Sequence, residues 1–398
     1  MRKNGVNKEL RTIEGGVCAP EGFTANAVSV GIRSDGEPDF GMLFTEKRCA
    51  VACVYASTPF CGAPVRVSKR NMKYGYARAI LVNSGIANCI APDGEKLAES
   101  VCDLFARYGI ERTETVIAST GKIGEKLTVA PFEKGAKPLF EGLARAPENS
   151  LLLATSMMTT DSRPKEVSYE FSLGDYPCKI GAVFKGGANV SPNMATFLAF
   201  LTTDVNISTE MLQRALSSAV RETLNQIQID GVSSPNDTVC ILANGKAGNY
   251  KIAFPDSEYK KFADILKIVF AEICKITVKD AKGTKTLYGR VAGAKSKKVS
   301  RALSKKLVGT EIVKKGVLKG ELDVNGLAYL ILCEDEPQDP ARIQIVLKSS
   351  LGEVVLFEDG KAMLGLENRV KALMGSDEIT ISVDLGAGNF ESIAYARA

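Results

Sequence analysis

The residues that could carry chemistry lie in one segment, 185–204, of a chain that contains no histidine. The missing imidazole excludes a Ser-His-Asp or Cys-His centre and any histidine-ligated metal. Acyl transfer can instead use a threonine whose own α-amino group is the base, freed when the backbone is cut before it. Small and polar residues lead to Ala195 and Thr196, and the apolar run 197–201 then predicts a buried strand. Thr196 is therefore the candidate nucleophile, although β-branched residues also begin many strands without any catalytic role.

Composition limits the class of protein. With 398 residues the chain is long enough for two domains or one large α/β unit. It has no long apolar run that would span a membrane, and residues 1–14 lack the apolar core of a signal peptide. The 10 cysteines are scattered without a Cys-x-x-Cys pair. We therefore expect no metal site, and we expect reduced thiols in a cytoplasmic protein.

The charge is uneven along the chain. The net charge is +5, and the stretch 279–319 is strongly basic. Such a stretch is typical of nucleic-acid binding or of a solvated helix face. It contains one aromatic residue, Tyr288, and so offers no platform on which bases could stack. We favour the solvated face and expect no nucleic-acid partner.

Apolar runs and periodicity predict a mixture of strands and helices without a strict βαβ alternation, which indicates an α+β fold. The predicted strands are 28–32, 40–44, 50–55, 78–83, 115–120, 169–173, 178–184, 197–201, 238–243, 328–333, 343–347, 353–357 and 378–384. The predicted helices are 94–108, 149–158, one capped by Ser208 that runs to about 225, and 257–278.

The segment around Thr196 resembles a known family. Lys185-Gly-Gly, Asn193-Met-Ala-Thr196 and Leu-Thr-Thr-Asp204 are similar to motifs of the ornithine acetyltransferases, also called glutamate N-acetyltransferases, of the arginine pathway. The resemblance is dense from residue 18 to about 250. It implies a four-layer αββα core and self-cleavage between Ala195 and Thr196.

The resemblance also implies a division of the chain. Residues 1–195 would form the α chain, 196–280 would complete the core with the nucleophile strand, and 281–398 would form a smaller C-terminal α/β domain. Two such α–β pairs would associate as a dimer of pairs. The substrates would be a small acyl donor and an amine acceptor, with no metal or organic cofactor.

Individual roles follow from the matching motifs. The run 118–124 resembles the family's Ser-Thr-Gly-x-Ile-Gly motif, which implies that Thr120 and Gly121 form the oxyanion hole. Lys185 would bind the acyl oxygen and lower the pKa of the threonine amine. Thr160 and Asn236 lie in segments that match substrate-pocket motifs. Without the family, the same residues fit a strand-to-helix turn and a surface lysine in a glycine turn.

The C-terminal third departs from the family pattern. Lys282 stands where the family has a glutamate for the substrate amino group, and a positive charge there would repel an ornithine ammonium. Three hypotheses stay open. In the first, Thr196 passes an acetyl group from N-acetylornithine to glutamate by a ping-pong mechanism. In the second, the same chemistry serves a more acidic substrate, or water as in an amidohydrolase. In the third, the chain is a non-catalytic paralogue.

Overall fold

The computed structural model describes residues 10–186, 197–229, 234–333 and 336–398. These residues form two compact units. The first contains 10–186, 197–220 and 234–273, and the second contains 221–229, 274–333 and 336–398. Within these ranges, no helix combines the length and apolar character needed to cross a membrane. Each unit has one sheet with helices packed on it, so the predicted α+β class is confirmed.

The elements alternate along the chain. The strands are β1 (Arg11–Thr12), β2 (Thr24–Val28), β3 (Phe40–Tyr55), β4 (Tyr76–Asn83), β5 (Thr115–Ser119), β6 (Lys165–Leu173), β7 (Tyr176–Lys185), β8 (Leu198–Thr203), β9 (Ile227–Gln228), β10 (Thr238–Ala243), β11 (Thr286–Ala294), β12 (Gln344–Ser349), β13 (Gly352–Glu358), β14 (Lys361–Ala362), β15 (Glu378–Asp384) and β16 (Phe390–Arg397). The helices are α1 (Ala63–Asn71), α2 (Gly94–Asp103), α3 (Ala130–Glu141), α4 (Pro147–Ser156), α5 (Thr209–Glu222), α6 (Ser257–Asp280), α7 (Lys297–Gly309), α8 (Glu311–Lys319), α9 (Val324–Leu332) and α10 (Glu367–Leu373).

Strand β3 joins the two halves of the first unit's sheet. The sheet has the order β1-β6-β7-β8-β10-β3-β4-β5, and β2 pairs with β3 as well. Residues 40–44 of β3 pair with β2 and β4, residues 50–55 pair with β10, and the register to β4 shifts between Phe44 and Cys49. The sequence predicted two strands because the polar residues 45–48 interrupt the apolar pattern. The structure instead has one continuous strand, because the backbone remains extended through the irregularity.

The two halves and their helices make four layers. Successive residues of a strand point to opposite faces, and both faces of this sheet are covered. The inner cluster contains Ile80, Val82, Val116 and Ala118 from β4 and β5 with Leu198, Phe200, Cys240 and Leu242 from β8 and β10. The outer cluster contains Ala79, Leu81 and Ile117 with Val67 of α1, Val101 of α2 and Phe132 of α3.

The other half of the sheet carries α5 and α6. Gln213 of α5 hydrogen-bonds to the backbone of Cys53 in β3. Burial, and then the charge of Glu272 in α6, raise the pKa of the Tyr169 phenol in β6. The order is helices, sheet, sheet, helices, in agreement with the αββα arrangement expected from the family.

The second unit has its own sheet and core. Its strands follow the order β14-β13-β12-β15-β11-β16-β9. Helix α7 packs on β11 and β16, and residues of α8, α9 and α10 join the same hydrophobic cluster.

Two predicted strands are wrong, each for a local reason. Residues 328–333 belong mostly to α9, which Asp323 caps by accepting a hydrogen bond from the Gly326 N–H. A short apolar run does not distinguish a strand from a buried helix. The predicted strand 28–32 ends at Val28, because the buried Asp39 carboxylate accepts hydrogen bonds from the backbone N–H groups that follow. These donors are Val30, Ile32 and Arg33.

Candidate active site

Lys185 lies at the end of β7 and is almost completely buried, with 1% of its surface exposed. It pairs in register with Leu198, the first residue of β8. Its Nζ donates to Thr159 Oγ1 at 2.7 Å and lies 3.5 Å from Thr120 Oγ1. Two of the residues proposed from sequence, Lys185 and Thr120, are therefore in contact. The alternative interpretation of Lys185 as a surface lysine is wrong.

A buried ion cluster fixes this end of β7. Asp161 Oδ1 accepts hydrogen bonds from Lys165 Nζ at 2.5 Å and from Gly186 N at 2.9 Å. Asp161 Oδ2 accepts from the Thr159 N–H at 3.2 Å and lies 3.9 Å from Lys185 Nζ. Lys165 Nζ also donates to the Gly186 carbonyl at 2.8 Å. The carboxylate thus holds two ammonium groups and the backbone just after Lys185.

The cluster changes the acidity of its members. Burial opposes charge on Asp161, yet the Lys185 and Lys165 ammonium groups hold the pKa of the Asp161 carboxyl below its ordinary value. Burial lowers the pKa of Lys185, and the like charge of Lys165 adds to this effect, while Asp161 and Asp237 oppose it. Lys185 therefore loses its proton more readily than an exposed lysine does.

The turn after β5 presents the Thr120 hydroxyl. The Thr120 N–H donates to the Asn83 carbonyl at 2.9 Å, so it is already used within the protein. The Thr120 hydroxyl is then the group of this residue that can donate to an acyl oxygen. Gly121 has φ +129°, and a Cβ there would overlap the Gly85 backbone, so only glycine fits this turn.

The segment before β10 fixes the start of β8. Asp237 Oδ1 accepts a hydrogen bond from the Phe197 N–H at 2.6 Å, and Thr238 N donates to the Phe197 carbonyl at 3.1 Å. Asp237 is fully buried, and its Oδ2 has no hydrogen-bond partner among the described residues. Burial therefore raises the pKa of Asp237 well above its ordinary value, although the Phe197 N–H and the Lys185 charge oppose the shift.

Asn236 connects the same segment to the turn after β5. Its Nδ2 donates to the carbonyls of Ser119 at 2.8 Å and Ala87 at 2.5 Å. A Cβ on Gly62 would overlap Asn236 Oδ1, so the asparagine is tightly enclosed. Asn236 thus links the loop before β10 to the last residue of β5 and to Ala87. Its contact with substrate stays a prediction.

The other residues proposed from sequence are placed as follows. Thr160 is exposed next to Thr159. Lys282 is exposed in the second unit, between α6 and β11. Ala195 and Thr196 lie outside the described residues. Within the described ranges, no group of three or more cysteine, aspartate or glutamate residues could hold a metal ion.

Sequence reasoning missed three of the groups that organise this site. Asp161 and Asp237 stand in motifs that match the family, but the motifs alone indicate no role for either. Lys165 carries no sequence signal, because it opens β6 in an ordinary strand pattern. Their contribution depends on burial and on contacts made by the folded chain, with Phe197 for Asp237 and with Gly186 for Asp161 and Lys165.

The arrangement suits chemistry at an acyl carbonyl. A buried ammonium and a fixed hydroxyl, those of Lys185 and Thr120, lie beside each other at the end of β7. Preorganised donors in a dry site stabilise an oxyanion much better than water does. The backbone of Phe197, which follows Thr196 in sequence, is held by the buried Asp237 in the same unit.

Comparison with known proteins identifies the family. The ArgJ family model matches residues 24–397. The chain belongs to the ArgJ family. The match continues through the C-terminal third, where the motifs resemble the family least, and the predicted enzyme class of N-acyltransferase is confirmed by this membership.

Two relatives match nearly the whole chain in sequence, and one solved structure matches about half of it. The glutamate N-acetyltransferase of Methanocaldococcus jannaschii is 34% identical over 97% of this chain and 96% of its own length. The arginine biosynthesis bifunctional protein ArgJ of Geobacillus stearothermophilus is 30% identical over 96% of this chain and 92% of its own length. The crystal structure of the ArgJ protein from Bacillus halodurans has a TM-score of 0.44 and 26% identity, and it covers 47% of this chain and 99% of that one.

Proposed function

We propose that this ArgJ-family enzyme transfers an acetyl group from N-acetylornithine to glutamate through an acyl-enzyme on Thr196. The observation that carries the proposal is the buried Lys185 ammonium, which contacts Thr159 and lies beside the Thr120 hydroxyl at the end of β7. The name of one relative, glutamate N-acetyltransferase, supports glutamate as the acetyl acceptor, and that of the other supports a role in arginine biosynthesis. We place this activity in the cytoplasm.

The proposed reaction has two halves. The α-amine of Thr196, freed by cleavage after Ala195, accepts the proton of the Thr196 hydroxyl. The hydroxyl oxygen attacks the acetyl carbonyl, and the Lys185 and Thr120 donors stabilise the oxyanion. Ornithine leaves with the proton from the Thr196 amine, and the acetyl group stays on the threonine oxygen. The glutamate amine then attacks this ester, its proton returns to the threonine, and N-acetylglutamate leaves.

Strand pairing supports the proposal that both fragments stay together after cleavage. Strand β7 precedes the cut and β8 follows it, and the two pair antiparallel from Ile180 opposite Thr203 to Lys185 opposite Leu198. Strand β10, also after the cut, pairs with β3. The proposed chains 1–195 and 196–398 therefore share one sheet, and we propose that two such pairs associate.

A second candidate keeps the mechanism and changes the substrate. Lys282 is exposed and stands where the family has a glutamate. A donor or acceptor with an additional carboxylate suits a positive charge better than the ornithine ammonium does. Alternatively, the acyl-enzyme passes its acetyl group to water, and in either case the candidates share the Thr196 chemistry and differ in their substrates.

The test combines intact mass with an acetyl-transfer assay. We expect the wild-type chain to give two fragments that meet at Ala195 and Thr196, and Thr196→Ala to remain one chain. We expect the cut protein to release ornithine from N-acetylornithine and to form N-acetylglutamate only when glutamate is added. Acetate without acceptor would favour the amidohydrolase. An uncut, inactive wild-type chain would overturn the proposal.

A further inference from the structure

Two cysteines face each other across the strands that join the halves of the first unit's sheet. Cys53 of β3 lies directly opposite Cys240 of the antiparallel β10. Residues opposed in this way point to the same face of the sheet. Their sulfur atoms are 3.2 Å apart, joined by a thiol hydrogen bond and not by a covalent bond.

Hydrogen bonding shows which kind of cross-strand pair this is. The Cys53 N–H donates to Gln213 Oε1 and the Cys53 carbonyl accepts from Gln213 Nε2, each at 3.1 Å, so both backbone groups point away from β10. Three residues later, Ala56 N does donate across to the Asp237 carbonyl, at 2.9 Å. Hydrogen-bonded positions alternate along an antiparallel ladder, so Cys53 and Cys240 form a non-hydrogen-bonded pair.

This geometry suits a disulfide. Non-hydrogen-bonded pairs have Cα atoms about 4.5 Å apart, within the range of about 4.4–6.8 Å that a disulfide spans. The sulfurs must approach by about 1.2 Å to reach the bond length of about 2.05 Å. Side-chain rotation supplies a movement of this size without a shift of either strand.

The two cysteines differ in their access to solvent. Cys240 is fully buried, whereas Cys53 is partly exposed and lines a cavity of 320 Å³. Lys69 and Lys73 line the same cavity, and the Lys69 ammonium lies 5.6 Å from the Tyr55 ring centroid. A reagent that enters this cavity therefore meets the Cys53 sulfur before the buried Cys240 sulfur.

We propose that Cys53 and Cys240 are a dithiol pair that a low-molecular-weight disulfide oxidises to a protein disulfide. The Cys53 thiolate attacks one sulfur of the reagent, forms a mixed disulfide and releases one thiolate. The Cys240 thiolate then attacks the Cys53 sulfur and releases the second. Two protein thiols lose two electrons and two protons in total, and one small disulfide becomes two small thiols.

The pair has a consequence that rests on the proposed function. Cleavage between Ala195 and Thr196 would leave Cys53 on one fragment and Cys240 on the other. The disulfide would then join the two chains covalently, three residues beyond Asp237. Oxidation would convert a pair held by strand pairing into one that denaturant alone cannot separate.

The second step requires the Cys240 thiolate. Burial raises the pKa of Cys240 well above its ordinary value. A smaller fraction of thiolate slows attack on the mixed disulfide. We therefore expect disulfide formation to accelerate between neutral and mildly alkaline pH.

The test uses the full chain treated with glutathione disulfide, then denatured, alkylated and mapped by mass spectrometry. We expect one cross-linked peptide pair, containing Cys53 and Cys240, with the loss of two hydrogen masses. Cys240→Ser should stop at the glutathione adduct on Cys53, and Cys53→Ser should form no adduct at Cys240. Full alkylation of both cysteines in the treated wild type, or a link from Cys53 to Cys49 or Cys61, would overturn the proposal.

Peptide mapping keeps the two proposals separate. If the backbone is cut, the fragments should travel together without reductant and separate with it. If the backbone is uncut, the cross-linked peptide still reports the disulfide, so only the proposed function fails. A cut chain without the cross-linked peptide would leave the proposed function standing and overturn the disulfide proposal.

Discussion

The Phe197 N–H donates to Asp237 Oδ1 at 2.6 Å, and both groups are buried. The Asp237 side chain, 40 residues further along the sequence, thus fixes the backbone immediately after the proposed nucleophile. Asp237→Ala would leave the Phe197 N–H buried without an acceptor, which costs about 1–3 kcal/mol. Asp237→Asn keeps a carbonyl acceptor and should lose less.

We expect Asp237→Ala to lower the free energy of unfolding in urea and to slow the appearance of the two fragments, with Asp237→Asn intermediate. The unfolding measurement uses the uncut Thr196→Ala chain, so that cleavage does not disturb it. Equal stability of the alanine variant and its parent would mean that this hydrogen bond does not hold β8.

Asp237 should also give stability a dependence on pH. Its pKa in the fold is raised well above 3.8, mainly by burial. The folded chain therefore holds a proton that the unfolded chain releases, and this contribution is complete below the unfolded pKa and is lost as pH rises through the folded pKa. We expect the stability advantage of the parent over Asp237→Asn to shrink as pH increases from about 4. Urea unfolding of both chains across pH measures it, and a constant difference would contradict the shift.

Lys185 should be required for transfer. Removing its ammonium deletes a buried donor beside Thr120, and the loss of one oxyanion donor reduces kcat about 100- to 1,000-fold. Lys185→Met keeps a long apolar side chain in the same space. Lys179→Met, on the same strand but partly exposed, is the matched control and should keep wild-type kcat. Similar losses in both variants would indicate general damage to β7.

Thr120 should act through its hydroxyl. Thr120→Ala removes the donor, while the backbone hydrogen bond to Asn83 remains. We expect kcat to fall about 100-fold with little change in KM, because the interaction forms mainly in the transition state. Thr120→Ser restores a hydroxyl and should recover most of the activity. Failure of serine to rescue kcat would argue for a packing role of the threonine methyl group.

Local patterns allowed much of the fold to be predicted. Strand β10 and strand β15 begin and end where the sequence placed them, because each is an apolar or alternating run bounded by polar turns. The error at 28–32 arises because Asp39 binds the backbone N–H groups after Val28, and the error at 328–333 arises because Asp323 caps a helix; a short apolar run reveals neither effect.

The site could be predicted only in part. The motifs indicated Thr120 and Lys185, whose contact the structure provides. Lys165 could not be predicted, because its importance depends on the approach of Gly186 and Asp161. Such contacts depend on the tertiary packing of the strands, which no local sequence pattern determines.

The buried pair of Asp161 and Lys165 should dominate the stability of this end of β7. Their side chains are 1% and 0% exposed. Removing one partner of a buried pair costs about 3–5 kcal/mol, and because Asp161 would keep the Lys185 ammonium at 3.9 Å, the loss should fall toward the lower end of this range. We expect Lys165→Met to lose free energy of unfolding in this range at neutral pH, whereas Lys137→Met, in an exposed pair with Glu141, should lose about 1 kcal/mol or less.

Lys165→Met should also change how the free energy of unfolding depends on pH in the acidic range. The Lys185 and Lys165 charges hold the pKa of Asp161 below 3.8 against the effect of burial, so its stabilisation is present above the unfolded pKa and is lost as pH falls through the folded pKa. Without Lys165 the pKa of Asp161 rises, and this part of the acid loss should begin at higher pH than in the parent. Urea unfolding of the uncut Thr196→Ala chain, with and without Lys165→Met, from neutral to acidic pH provides the measurement. Parallel pH profiles would show that Lys165 does not control the ionisation of Asp161.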